Sequence, residues 1–126
     1  MILFIDTTRG TEIEIALYEA SGVQYAVKLI PVHRRESEEL LPAINDILEN
    51  NAKKVSGIIV MNGRDSRFSA TRSGVAAANA LGFAWGVSVM GILKNGDFGS
   101  AVKTLSAKPE FDKPVIPIYS KEPNGK

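Results

Sequence analysis

Apolar and polar positions change period several times along the chain, and the changes outline its elements. Residues 2–5, ILFI, are uninterruptedly apolar, the pattern of a strand covered on both faces and central in a sheet. In TEIEIALYE, Ile13, Ile15 and Leu17 alternate with Glu12, Glu14 and Ala16, a period of two that marks a half-buried strand. EASG, ending at Gly22, predicts a turn, because glycine accepts positive φ; VQYAVKLIPV is then the returning strand. From Glu36 the period lengthens. Leu40, Leu41, Ile44, Ile47 and Leu48 fall on one face of an α-helix. Ser37 is placed to cap it, and Glu38 and Glu39 suit the positive helix start. Pro42 conflicts with that start, since a proline at this depth removes a helical hydrogen bond; the helix begins later or bends there. Asn50 and Asn51 read as its stop. VSGIIVM (55–61) is another apolar strand, residues 68–85 a helix, and VSVMGI (87–92) a closing strand.

The order is β-β-β-α-β-α-β. Antiparallel strands followed by crossover helices predict an α/β fold with a ribonuclease-H-like mixed sheet and helices on its faces. Beyond Leu93 the pattern weakens. NGDFG is loop-like, and GSAVKTLSAK is a candidate short helix with Val102 and Leu105 apolar. The stretch 109–126 carries four of the six prolines, which favours extended chain. Val115, Ile116, Ile118 and Tyr119 are candidates for an edge strand, where proline is tolerated. The reading therefore divides the chain into a lobe over 1–93 and a connection with a C-terminal tail over 94–126.

Composition narrows the classes. The length of 126 residues fits one domain. With 15 basic against 14 acidic residues and a net charge of +1, the chain lacks the basic excess of a free-standing nucleic-acid binder, and no direct nucleic-acid binding is expected. There is no cysteine, hence no disulfide, thiolate metal site or cysteine nucleophile. MILFI is too short for a signal peptide and lacks a basic n-region. No apolar run approaches a membrane span. The expectation is a cytoplasmic protein without membrane contact.

Candidate chemistry is sparse. Asp6, in FIDTT, stands at the end of the first strand, where sites form in such sheets. It could ligate a metal or lie near a nucleotide phosphate with Thr7 and Thr8, or it could cap its own turn; the turn is the commoner use of Asp-Thr-Thr. A two-metal nuclease would need converging carboxylates, and Asp6, one of Glu36, Glu38 and Glu39, and Asp65 stand in a suitable chain order. The single histidine, His33, lies in a charged loop with Arg34 and Arg35 and forms no triad by itself. Arg64, Asp65, Ser66, Arg67 and Arg72 surround the start of the second helix, where free amides can hold an anion. GRDSRFSATRSG nevertheless lacks the lysine and spacing of a P-loop. The helix itself is lined with Ala70, Gly74, Ala76, Ala77, Ala78, Ala80 and Gly82, which suits either close packing on its own sheet or contact with another chain.

Four of these stretches together resemble the TsaB (YeaZ) family, whose members act in making threonylcarbamoyladenosine in tRNA. FIDTT is similar to the family's opening IDTS. ESEELLP is similar to HSExLLP, with Glu36 in place of histidine. GRDSRFSATRSG, one residue longer, is similar to GPGSFTGLRIG; Phe68, Arg72 and Gly74 match, Ser69 stands for threonine, Ala70 for glycine, and Arg64-Asp65 for Pro-Gly. PIYSKEP is similar to the family's proline-rich tail. The resemblance implies one lobe of the actin-like ATPase (ASKHA) architecture, with the family's second lobe absent between VMGIL and the tail. It implies a non-catalytic scaffold without cofactor or ATPase activity of its own. That scaffold would bind a TsaD-like enzyme, reach a TsaE-like ATPase through the complex, and form a homodimer when alone. The implied interface is Ser37, Glu38, Leu41, Ala70, Arg72, Gly74, Ala77 and Leu81. The alternatives are the metal-dependent nuclease using Asp6, Glu38 and Asp65, and a repurposed relative with a new partner.

Overall fold

The computed structural model describes residues 1–9, 12–31, 36–49, 54–63, 68–93, 97–107 and 114–115. Among the described residues, five strands and three helices follow in the order β1 (Ile2–Asp6), β2 (Glu12–Tyr18), β3 (Gln24–Pro31), α1 (Glu36–Leu48), β4 (Gly57–Gly63), α2 (Phe68–Trp85), β5 (Ser88–Leu93) and α3 (Phe98–Ala107). They form one sheet in the order β3-β2-β1-β4-β5. β1 pairs antiparallel with β2 and parallel with β4, β2 pairs antiparallel with β3, and β4 pairs parallel with β5. β1 is therefore central and buried throughout, as its unbroken apolar run requires.

The pleat sends alternate residues of each strand to opposite faces, and two cores result. On one face Leu3, Ile5, Ile13, Ile15, Leu17, Ile58 and Val60 pack against Leu40, Ala43, Ile44 and Leu48 of α1 and Val75 and Ala78 of α2. On the other, Ile2, Phe4, Ala16, Ile59, Met61 and Ile92 meet Ala101, Val102 and Leu105 of α3. Each fully buried aliphatic side chain contributes about 1.5–3 kcal/mol relative to exposure. Phe4, Tyr18 and Phe98 add an aromatic cluster on the α3 side, with centroids 4.6–6.4 Å apart. Burial there, and then the nearby Glu14 carboxylate, push the Tyr18 phenol above its ordinary value.

The local punctuation follows side-chain chemistry. Gly22 takes a φ of 96° in the β2–β3 turn, donating to the Glu19 carbonyl at 2.8 Å. The α1 helix runs through Pro42, which points outward and is exposed. The conflict read at Ser37 is thus resolved by a helix that tolerates the proline. α1 ends on Glu49, a non-glycine residue at a φ of 44° (the expected stop at Asn50 and Asn51 lies outside the described residues). Asp97 starts α3. Its Oδ1 accepts from the Gly99 and Ser100 amides and its Oδ2 from the Ser100 hydroxyl, the N-cap pattern. Among the described residues, no helix is long and apolar enough to cross a membrane.

Candidate functional site

Polar groups gather at the carboxyl ends of β1 and β4, where crevices form in sheets of this kind. Asp6, Thr7, Thr8 and Asn62 are buried there. The Asp6 carboxylate turns into its own loop: Oδ1 accepts from the Thr8 amide at 2.9 Å and from the Thr8 hydroxyl at 2.6 Å. This is the turn-capping use of Asp-Thr-Thr. Thr7 and Asn62 also have partners. Two glycines allow the elements to close over these side chains. A Cβ on Gly74 of α2 would lie 2.4 Å from Thr7 Oγ1, and a Cβ on Gly91 of β5 would lie 2.4 Å from Asn62 Cγ. The cluster ties α2 and β5 to the ends of β1 and β4. Of the nuclease carboxylates, Asp6 is engaged as above; Asp65 and the Glu38 side chain lie outside the described residues. Among the described residues, no group of three histidine, cysteine or acidic side chains could hold a metal.

The second candidate surface is the outer side of α1 and α2, which pack against each other. The structure divides the expected interface residues. Leu41 is 51% exposed, and Arg72 is exposed. Gly74 is turned inward against Thr7, while Ala77 and Leu81 are partly buried against the main core. Gly74, Ala77 and Leu81 therefore pack within the chain, because the sheet-facing side of α2 needs small residues as much as any partner would. Ser37, Glu38 and Ala70 lie on the two helices, but their side chains fall outside the described set, as do His33, Arg34, Arg35, Ser66 and Arg67. The outward stripe of α2 is instead Arg72, Ala76, Ala80 and Phe83, all exposed, with Phe83 76% exposed. Their spacing puts them along one helix face.

No family model matches the chain, and no curated protein does. Solved structures do. A structure described as YeaZ from Pseudomonas aeruginosa superposes with a TM-score of 0.64 at 22% identity over 73% of this chain. So does one described as an uncharacterized protein with similarity to peptidase YeaZ from the same organism, with the same TM-score and identity. The chain has the YeaZ fold. It spans 43% and 42% of the two matched chains, less than half of either. The mixed β-β-β-α-β-α-β sheet read from the sequence is that of these YeaZ structures, consistent with an actin-like, ribonuclease-H-like lobe.

Two features escaped the sequence reading. Val23, Tyr25, Val27 and Leu29 line one side of the β3 edge and are all exposed. Their alternation with Gln24, Ala26 and Lys28 was visible, but period two does not say which side is covered. Asn79, a lone polar residue in AAANALG, binds the chain near its C-terminus. Its amide nitrogen donates to the Val115 carbonyl at 2.9 Å, and its oxygen accepts from the Val115 amide at 2.8 Å. The hydrogen bonds expected of an edge strand at Val115 are thus taken by a helix side chain; Ile116, Ile118 and Tyr119 lie outside the described residues.

Proposed function

We propose that the chain is a non-catalytic scaffold of the TsaB kind, acting in tRNA threonylcarbamoyladenosine formation by docking a TsaD-like enzyme or a second copy of itself. The observation that carries this reading is the outer face of α1 and α2. Phe83 stands exposed on the same face of α2 as Ala76 and Ala80, and Leu41 is exposed on α1, which packs against α2. Small residues let a partner helix approach closely, and the apolar residues at its edges lose water on contact. The YeaZ fold and the four matching stretches support the same assignment. The buried polar cluster at Asp6 belongs to the lobe's own packing in this reading.

Co-expression with a TsaD-like protein from the same source tests it. A stable complex that Ala76→Arg abolishes, with the fold unchanged by circular dichroism, is expected. Absence of any complex, with the tRNA modification intact after deletion of the gene, overturns it.

A further inference from the structure

Among the described strands, β3 is paired on one side only, by β2. Its outer N–H and C=O groups form a template for another extended chain. The pairing with β2 is regular from Ala26 to Pro31, so the edge is a straight one over that stretch. Two features mark it. On one face of the sheet Tyr25, Val27 and Leu29 are exposed. On the other face a groove of about 500 Å³ lies between residues 25–28 of β3 and Asp46, Ile47 and Glu49 at the end of α1. Asp46 in this groove is ion-paired with Lys28 at 3.0 Å. Glu49 has no ion pair among the described residues. The groove therefore holds two carboxylates and one ammonium group.

We propose that β3 is a docking edge for a second copy of the chain, whose own β3 adds antiparallel about a two-fold axis at Val27. Charge and length select this register. An axis at Lys28 would set two ammonium groups directly opposite each other, which is unfavourable. An axis at Leu29 would pair only residues 27–31 and leave Tyr25 beyond the pairing. With the axis at Val27, Val27 meets its own counterpart, Tyr25 meets Leu29, and Lys28 meets Ala26, each pair occurring twice. Apolar side chains then face apolar ones along the exposed side. On the other side, Lys28 of the second copy enters the groove that has one carboxylate in excess. A strand from another protein would have to supply the same alternation and the same charge, whereas the second copy carries both. This surface differs from the outer face of α1 and α2 proposed above in using the sheet edge.

Sedimentation and cross-linking of the full chain test it. The wild type should pass from monomer to dimer between micromolar and millimolar concentration. Val27→Lys and Val27→Glu should each sediment as monomers with the fold unchanged by circular dichroism. Their equimolar mixture should recover the dimer, because position 27 faces itself across this axis. The chain has no cysteine, so Val27→Cys reports the contact directly. Opposite Cα atoms in an antiparallel pair lie about 4.5–5.5 Å apart, within disulfide reach, and oxidation should link the variant as a dimer. Leu29→Cys, whose counterpart is Tyr25, should link far more slowly. Ala76→Arg should leave the dimer intact. A wild type that stays monomeric throughout overturns the proposal and leaves the edge to a strand of another protein. Dimerisation of Val27→Lys like that of the wild type, a mixture no more dimeric than its components, or equal linking at positions 27 and 29 overturns the register and the edge. Loss of the dimer in Ala76→Arg overturns it too, by assigning self-association to α2.

Discussion

Replacing Gly74 by alanine separates two opposing effects. In a helix interior alanine is favoured over glycine by about 0.8–1.0 kcal/mol, so helix propensity alone predicts stabilisation. At Gly74 the new Cβ would lie 2.4 Å from Thr7 Oγ1, 3.1 Å from Thr7 Cγ2 and 3.3 Å from Thr7 Cβ. Thr7 is 3% exposed and already has a partner, so it cannot swing away freely. Overpacking of this kind costs about 1–3 kcal/mol. The net expectation is a destabilisation of up to about 2 kcal/mol, seen as a lower urea midpoint with an unchanged m-value. Thr7→Ala removes the two nearest contacts and leaves the atom at 3.3 Å. In that background Gly74→Ala should therefore become neutral or mildly stabilising, giving a coupling energy of about 1–3 kcal/mol in the double-mutant cycle. If Gly74→Ala is as stable as the wild type, or costs the same with and without Thr7, the close approach of α2 to the end of β1 is not what Gly74 provides.

Four other outcomes follow from the same geometry. Leu40→Ala, at a site 2% exposed against the sheet, should cost about 2–5 kcal/mol by thermal or denaturant unfolding. Val27→Lys, on the exposed side of β3, should leave stability within about 0.5 kcal/mol and reduce aggregation measured by light scattering. Phe83→Ser should likewise leave the unfolding midpoint unchanged while weakening any self-association seen by sedimentation. At Asp97 the hydrogen bonds from the Ser100 side chain, then from the Ser100 and Gly99 amides, hold the carboxyl below its ordinary 3.8. A folded-state value below the unfolded one means that the cap's contribution is complete above that ordinary value and is lost as pH falls through the lower, folded one. Stability of Asp97→Asn measured against pH should lack this acid-side loss, and an unaltered profile would count against the cap.

The sequence by itself determined the elements and their order. Periods of two and 3.6, the unbroken ILFI run and Gly22 each act within a few residues, so strand, helix and turn were legible without knowing what lay opposite. The lobe's fold followed, because short connections and right-handed crossovers leave few ways to assemble that order. The four family-like stretches located the candidate surfaces in the same way. What the sequence left open was direction. Gly74, Ala76, Ala77 and Ala80 are alike as small residues, and only the packed helix shows that Gly74 meets Thr7 while Ala76 and Ala80 face outward. For Asp6 the sequence favoured a turn cap over a ligand without deciding it, and the Thr8 hydrogen bonds show the cap. The sequence left open which side of β3 is covered; Tyr25, Val27 and Leu29 stay exposed, because α3 packs against β4 and β5 at the other end of the sheet. Asn79 and Val115 had no local reason to meet. Tertiary structure decided these points because burial and pairing depend on residues far apart in the chain, whereas periodicity and turn chemistry do not.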